Sequence, residues 1–214
     1  MQKIIDAILK EKIIVIVRGV EREALIPLAE ALYKGGIRLL ECTFDAKGEI
    51  ADEEIADRIR MLAEHFGDRM EIGAGTVLSE RQVELTRAAG GKFIISPDVN
   101  SAVIKKTKSE GLVSIPGALT PTEAVTAHRA GADFVKLFPV GRMGAGYIKD
   151  LAAPLSHIRF LAVGGVDLDN MDEFFSAGAV GIGIASSIVD KKLIAAGDFE
   201  HLTTLAQKYT EKMK

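Results

Sequence analysis

Residues 120–139, TPTEAVTAHRAGADFVKLFP, decide the fold because they contain one complete transition from a helix to a strand. The pair Thr120-Pro121 is a typical helix start, and it precedes a helical pattern over Thr122–Ala130. Gly131 then ends the helix, and the apolar run Phe134–Phe138 predicts a buried strand. This helix-glycine-strand unit is the repeating element of a parallel α/β fold.

The same unit recurs along the chain. About eight apolar runs predict strands, at Ile13–Val17, Leu39–Thr43, Glu71–Gly75, Phe93–Ser96, Val113–Pro116, Phe134–Phe138, Phe160–Val163 and Val180–Ile184. Helical patterns lie between them, at Glu21–Lys34, Glu49–His65, Ser79–Ala89, Asn100–Ser109, Thr122–Ala130, Tyr147–Ala153 and Asn170–Ala177, with further helices at Gln2–Lys10 and His201–Lys212. Alternating units with short loops favour closure, so we expect one α/β domain over residues 1–214, a (β/α)8 TIM barrel with an extra N-terminal helix.

Composition narrows the function classes. The 214 residues are 48% hydrophobic and carry a net charge of −3, with Lys and Arg scattered along the chain. This distribution lacks the basic patch of a nucleic-acid or membrane-surface binder, so small molecules and further copies of the chain are the expected partners. No apolar run is long enough to span a membrane, and the charged opening differs from a secretory signal, so we expect a cytoplasmic protein. The single cysteine, Cys42, is expected to be a packed thiol.

Two predicted strands each contain an ionisable residue where an apolar one would suffice. Lys136 interrupts Phe134–Phe138, and Glu41 interrupts Leu39–Thr43. Removing a lysine charge from water costs several kcal/mol, so the group either pairs with a carboxylate or loses its proton and becomes a nucleophile. A buried Lys136–Glu41 ion pair and a catalytic pair are therefore both compatible with these two residues.

In a barrel of this type, the residues at the C-terminal end of each strand, and those directly after it, converge on one face. From the successive strands these are Arg18, Glu41 with Thr43, Thr76, Pro97, Pro116-Gly117, Lys136 with Phe138, Gly164-Gly165 and Ser186-Ser187. The glycine pair and the serine pair follow the last two strands, where barrels often bind phosphate through backbone N–H groups. A phosphorylated substrate is therefore expected, although a Gly-Gly pair alone is also typical of a tight turn.

Several of these segments resemble one enzyme family in order along nearly the whole chain. The segments GAGTV (73–77), ISP (95–97), IPG (115–117), FVKLFP (134–139) and VGGV (163–166) are similar to those of the 2-keto-3-deoxy-6-phosphogluconate (KDPG) and 4-hydroxy-2-oxoglutarate (KHG) aldolases. The resemblance implies a trimeric class I aldolase that splits a phosphorylated 2-keto-3-deoxy sugar acid into pyruvate and glyceraldehyde 3-phosphate. KDPG is the expected substrate, with 4-hydroxy-2-oxoglutarate as a second one and the galactonate-derived sugar acid as the alternative.

The resemblance also implies a role for each matching residue. Lys136 matches the Schiff-base lysine, Glu41 the general acid and base, Thr76 a residue at the pyruvate carboxylate and Arg18 an active-site arginine, while Gly164, Gly165 and Ser186 match the phosphate loops. The chemistry of the residues agrees with these roles. A protonated imine on Lys136 accepts the electrons of the cleaved carbon–carbon bond, so the covalent imine replaces a cofactor and no metal is required. Glu41, acting through water, can transfer the protons.

Two positions depart from the family pattern. Asp45 stands where some members have an arginine that helps to anchor the pyruvate carboxylate, so either Arg18 and Thr76 anchor it or Asp45 points away. Val163 stands where members acting on the gluconate-derived sugar often have threonine, and Ala162-Val163 resembles the galactonate-derived homologues. Valine cannot hydrogen-bond a hydroxyl group, so weak discrimination at the C4 carbon is expected. Phe138 either shields the imine from water or is an ordinary core residue.

Two other functions remain open at this point. A metal-dependent sugar-phosphate epimerase on a barrel would place histidine and carboxylate ligands at strand ends, whereas His65, His128, His157 and His201 fall in helical or loop segments and are expected on the surface. A sugar-phosphate sensor would keep the phosphate loops but would gain nothing from a buried Lys136 beside Glu41.

Overall fold

The computed structural model describes residues 1–213, which form one parallel sheet surrounded by helices. The strands are Ile13–Val17 (β1), Leu39–Thr43 (β2), Glu71–Gly75 (β3), Phe93–Ile95 (β4), Val113–Ile115 (β5), Gly117–Ala118 (β6), Val135–Leu137 (β7), Phe160–Val163 (β8) and Gly181–Ile184 (β9). The helices are Gln2–Glu11 (α1), Arg22–Lys34 (α2), Asp52–Phe66 (α3), Glu80–Ala88 (α4), Ser101–Ser109 (α5), Pro121–Ala130 (α6), Ala145–Ala152 (α7), Met171–Ser176 (α8), Lys191–Ala195 (α9) and Phe199–Glu211 (α10).

The order of strands in the sheet is β5-β4-β3-β2-β1-β9-β8-β7-β6, and every pair is parallel. Its two end strands, β5 and β6, are consecutive in the chain and are separated only by Pro116. The sheet therefore returns to its own start, which confirms the expected (β/α)8 barrel with an added N-terminal helix.

The fifth predicted strand, Val113–Pro116, is divided in the structure. Proline has no backbone N–H, so it cannot donate to a ladder, and the pairing changes partner at this residue. Before Pro116, β5 pairs with β4; after it, Gly117 lies opposite Lys136 of β7. The prediction was wrong in ending the strand at Pro116, because β6 continues beyond it and closes the barrel.

Alternation along the strands separates two apolar layers. Ile14 and Ile16 of β1 point into the barrel, where Ile8 of α1 packs against the same cluster, while Val15 and Val17 pack against the outer helices. Fully burying a side chain of this size contributes about 1.5–3 kcal/mol. A charged residue in this inner layer therefore destabilises the fold, and Glu41 on β2 and Lys136 on β7 both lie there.

The predicted helices α4 and α6 begin with a side-chain cap in the structure. Ser79 caps α4 by accepting a hydrogen bond from the Gln82 N–H at 3.2 Å. Thr120 and Glu123 form a reciprocal capping box at the start of α6. One helix was missed: α9 begins after Asp190, whose side chain accepts from the next amides, as an N-cap does.

Candidate active site

Lys136 points into the barrel because its neighbours on β7 point outward. Val135 and Leu137 pack in the outer apolar layer, so the alternation of the strand places Lys136 inside, where it is 5% exposed. Its Nζ atom lies 4.8 Å from the centroid of the Phe138 ring. Within residues 1–213, no carboxylate oxygen lies within the 4.0 Å that defines an ion pair with this amine. Burial lowers the pKa of Lys136 from the usual 10.5; Glu41 opposes this shift and Arg18 adds to it.

Glu41 lies on the inner face of β2 and is completely buried. Both of its carboxylate oxygens lack a hydrogen-bond partner in the described structure. Burial raises the pKa of Glu41, and the positive charges of Lys136 and Arg18 oppose this rise. Both ionisable groups are thus shifted toward their neutral forms, and they form no direct ion pair at 4.0 Å or less. The geometry argues against a structural ion pair, because no direct contact joins the two charged groups in the described residues.

Gly75 provides the space that the Glu41 carboxylate occupies. A Cβ atom on Gly75 would lie 1.5 Å from Oε1 of Glu41 and 2.2 Å from its Cδ. The register explains this contact: Glu41 lies opposite Gly73 of β3, so Gly75 is its diagonal neighbour on the same inner face. The predicted site did not include Gly75, since only the register between the two strands brings it against Glu41.

Arg18 and Thr76 meet at the mouth of the barrel. Arg18 follows β1 and Thr76 follows β3, and Nη2 of Arg18 donates to Oγ1 of Thr76 at 3.0 Å. Thr76 has a φ of 56°, in the left-handed region that a β-branched residue rarely adopts. This conformation costs of order 1–3 kcal/mol and is typical of residues held in place for function. The two predicted residues are therefore in direct contact.

Asp45 is bound by its own loop. Its Oδ1 atom accepts a hydrogen bond from the Lys47 N–H at 3.0 Å, and its Oδ2 atom accepts from Glu49 at 2.8 Å and Ile50 at 3.1 Å. The backbone N–H of Lys47 is the main cause of the lowered pKa of Asp45. Of the two outcomes left open by the sequence, the structure supports the one in which Asp45 points away from the main cavity.

The site residues surround a cavity of about 810 Å³ at the C-terminal end of the strands. Every predicted site residue except Glu41 lines it, namely Arg18, Thr76, Pro97, Lys136, Phe138, Val163, Gly164, Gly165 and Ser186. Glu41 is fully buried and does not line the cavity. The wall also contains residues that were not predicted, among them Asp167, Asp190, Lys191 and Lys192.

The loops after β8 and β9 present unpaired backbone donors. Gly164 and Gly165 have consecutive positive φ values of 87° and 76°, which favour glycine. A Cβ atom on Gly164 would lie 3.1 Å from the Phe138 ring. In the described chain, the N–H groups of Gly164, Gly165, Ser186 and Ser187 donate to no protein acceptor. Free N–H groups in successive positions form a concavity suited to an anion.

The histidines lie on the surface, as expected, and Cys42 is buried. All four histidines are exposed, and within residues 1–213 no group of three His, Cys, Asp or Glu side chains is placed to bind one metal ion. Burial raises the pKa of Cys42 to about 12, so the thiol is packed rather than reactive. Across the part of the chain that the structure describes, no helix has the length and apolar character needed to cross a membrane.

This chain matches one enzyme family over most of its length. The family described as "Aldolase: KDPG and KHG aldolase" matches residues 4–205. A 2-dehydro-3-deoxy-phosphogluconate aldolase of Treponema pallidum is 35% identical over 97% of this chain and 96% of its own length. A 2-dehydro-3-deoxy-6-phosphogalactonate aldolase of Escherichia coli is 34% identical over 84% of this chain and 85% of its own length.

Solved structures agree with the sequence comparisons. One described as a native KDPGal structure superimposes with a TM-score of 0.82 at 32% identity, covering 93% of this chain and 94% of its own. The KDPG aldolase of Legionella pneumophila, with pyruvate captured at low pH as a covalent carbinolamine intermediate, gives 0.85 at 27% identity, covering 95% and 96%. The barrel, the buried lysine and these matches together show that the chain belongs to the KDPG and KHG aldolase family and is a carbon–carbon lyase.

Proposed function

We propose that this aldolase cleaves 2-keto-3-deoxy-6-phosphogluconate to pyruvate and glyceraldehyde 3-phosphate through an imine on Lys136. The observation that carries the proposal is Lys136 itself, which is buried, lacks an ion-pair partner in the described chain and has a lowered pKa. Such an amine is neutral, and so nucleophilic, at a lower pH than an exposed lysine. The relatives named for this reaction, and the carbinolamine in the Legionella enzyme, support the assignment.

The covalent steps follow from the position of each group. The Nζ lone pair of Lys136 adds to the C2 carbonyl, and the resulting carbinolamine loses water after Glu41, acting through water, protonates its hydroxyl group. The iminium ion then accepts the electrons of the C3–C4 bond while the Glu41 carboxylate removes the proton of the C4 hydroxyl group. Glyceraldehyde 3-phosphate leaves, protonation at C3 converts the enamine to an imine, and water releases pyruvate. The iminium ion formed on Lys136 is the electron sink for the cleavage, so the proposed reaction uses no metal or other cofactor.

The remaining site residues bind the two ends of the substrate. Arg18 and Thr76, joined by their 3.0 Å hydrogen bond, are placed to bind the carboxylate of the pyruvate half. The free N–H groups of Gly164, Gly165 and Ser186 are suited to the phosphate group at the other end. Between these ends, the cavity wall is formed by Pro97, Phe138 and Val163.

A second candidate substrate is the epimer of this sugar acid at the C4 carbon. Val163 lines the cavity and contributes no hydrogen-bonding group, and relatives named for both sugars match this chain at similar identity. The galactonate-derived epimer is therefore the alternative substrate, and we expect the kcat/KM values of the two epimers to differ by less than about 100-fold. A Val163→Thr variant should increase the preference for one epimer if this position governs discrimination.

Trapping with borohydride tests the imine directly. Incubation with pyruvate and borohydride should increase the intact mass by that of pyruvic acid less one oxygen atom, with the adduct mapped to the peptide of Lys136. Lys136→Arg should form no adduct, whereas Lys149→Ala, which removes an exposed lysine on α7, should form it normally. An active enzyme that forms no adduct would refute the mechanism, and ligand binding without turnover would favour the sensor.

The assembly and location of the enzyme are part of the same proposal. We propose that residues 1–214 act as a single aldolase domain, that this domain forms the homotrimer implied by the resemblance to the family, and that the enzyme is cytoplasmic. Sedimentation velocity of the full chain tests the assembly, because a stable monomer at micromolar concentration would contradict it.

A further inference from the structure

The start of α9 adds charged residues to the cavity wall beside the proposed phosphate site. Asp190 caps this helix: its Oδ1 atom accepts hydrogen bonds from the N–H groups of Lys192 at 2.7 Å and Leu193 at 3.2 Å. Asp167, the other carboxylate in the wall, accepts two backbone hydrogen bonds in its own loop. Hydrogen bonds from amides leave both carboxylates charged, but within residues 1–213 neither lies within 4.0 Å of the Lys191 or Lys192 amine, so neither forms an ion pair with these lysines.

Lys191 extends from α9 across the mouth to the loop after β1. Its Nζ atom lies 3.2 Å from the position that a Cβ on Gly19 would occupy, and Gly19 has a φ of 59°. The side chain also lines a second cavity, of about 440 Å³, that shares Arg18 and Thr76 with the main one. Within residues 1–213, no carboxylate lies within 4.0 Å of either Lys191 or Arg18.

An anion that enters this mouth meets two types of group. The N–H groups of Gly165 and Ser186 offer directed hydrogen bonds but only partial charges. A phosphate monoester carries about 1.5 to 2 negative charges at neutral pH, so a full positive charge beside these groups strengthens its binding. Lys191 follows Ser187 by four positions, lines the same cavity and, within residues 1–213, forms no ion pair.

We propose that Lys191 binds the phosphate group of the substrate and thereby sets the preference for phosphorylated over unphosphorylated sugar acids. This assignment rests on the proposed aldolase function, and it adds a side-chain cation to a site otherwise formed by backbone N–H groups. Lys192, which lines the same cavity, is the competing candidate, but it does not line the second cavity at Gly19.

The test compares the phosphorylated sugar acid with the same compound lacking phosphate. Lys191→Ala should lower the ratio of the two kcat/KM values by about 10- to 100-fold, the effect of losing one charge-assisted hydrogen bond. Lys191→Arg should retain most of the ratio, and Lys149→Ala is the matched control for removing an exposed lysine. An unchanged ratio in Lys191→Ala, or a loss confined to Lys192→Ala, would overturn the assignment.

A second measurement separates this proposal from the proposed function. Titration calorimetry of the full chain with inorganic phosphate needs no turnover, and Lys191→Ala should raise its Kd by a similar factor. Phosphate binding that depends on Lys191, in a protein that forms no pyruvate adduct on Lys136, would refute the aldolase mechanism alone. A protein that forms the adduct but binds phosphate equally well with and without Lys191 would refute the role of Lys191 alone.

Discussion

A single methyl group at Gly75 should disable the active site without removing any functional group. In Gly75→Ala the new Cβ would lie 1.5 Å from Oε1, 2.2 Å from Cδ and 2.6 Å from Cγ of Glu41. Carbon atoms in contact lie about 3.5–4.0 Å apart, so the carboxylate must move by roughly 2 Å. Glu41 is fully buried and neither of its oxygens has a hydrogen-bond partner in the described structure, so no hydrogen bond resists the displacement.

The size of the effect follows from that displacement. A misplacement of about 1 Å costs on the order of 100-fold in rate, and general acid–base catalysis contributes roughly 10²–10⁴-fold in total. We therefore expect kcat for cleavage in Gly75→Ala to fall by about 10²–10⁴-fold, measured by coupling pyruvate release to a dehydrogenase. Gly146→Ala is the control, because a Cβ on Gly146 meets no atom within 4 Å and its φ is not positive. That variant should keep full activity, and the helix α7 that contains it should be slightly more stable.

A double-mutant cycle separates displacement of Glu41 from general damage to the barrel. In a Glu41→Ala background the carboxylate is absent, so Gly75→Ala should cause little further loss of kcat. Full activity in Gly75→Ala would show that Glu41 does not act from its observed position. An equal loss of kcat in both backgrounds, in proteins with native circular dichroism, would show that Gly75 acts through something other than Glu41.

Three further perturbations test the electrostatics and the fold. Burial raises the pKa of Glu41 in the folded protein above the unfolded value of about 4.3. The protonated side chain therefore contributes stability at low pH, and this contribution is lost as pH rises through the folded pKa. Glu41→Gln stays neutral, so its thermal midpoint should exceed that of the wild type by more at pH 8 than at pH 4. The positive charge of Arg18 makes a small contribution that lowers the pKa values of both Lys136 and Glu41. Arg18→Gln removes that charge, so both pKa values should rise and the pH profile of kcat/KM should move toward higher pH. Thr120→Ala removes the N-cap of α6 and should cost about 1 kcal/mol, or about 2–4 °C in thermal midpoint, whereas Thr122→Ala on the same helix should cost less.

Long apolar strands were predicted with correct bounds because both of their faces are buried. Ile13–Val17, Leu39–Thr43 and Glu71–Gly75 match the structure, since the inner and outer layers of a barrel both require apolar residues. The continuation of the fifth strand past Pro116 depends on a partner, β7, that lies elsewhere in the sequence. The local sequence pattern predicts the end of the strand at proline, whereas in the structure the chain continues as a second short strand, β6, after Pro116. The short helix α9 was missed because five residues give too few turns for a periodic pattern.

Site residues inside apolar strands could be predicted from the sequence. Contacts that depend on the register between two strands, or on the direction in which a loop side chain points, could not. Lys136 and Glu41 could be identified because a charge inside an apolar strand is costly wherever the strand lies. Gly75 acts on Glu41 only through the alignment of β2 with β3, which no local pattern specifies. The same limit applies to Asp45, since whether its carboxylate faces the cavity or its own loop depends on hydrogen bonds to three backbone amides that follow it.

The separation between Lys136 and Glu41 explains how one barrel can both fold and react. A direct ion pair would offset part of the burial cost of each group, but it would keep the amine protonated and unreactive. In the described structure no such pair forms within 4.0 Å, and the Phe138 ring lies over the amine at 4.8 Å instead. The cost of burying each charge is therefore not offset by a direct ion pair. Burial raises the pKa of Glu41 and lowers that of Lys136, which favours the uncharged form of each group. The space left by Gly75 maintains this separation, because it allows the carboxylate to lie against β3 rather than against the lysine. The register of β2 and β3 thus sets where the Glu41 carboxylate lies, and through that position it influences the pKa of Lys136.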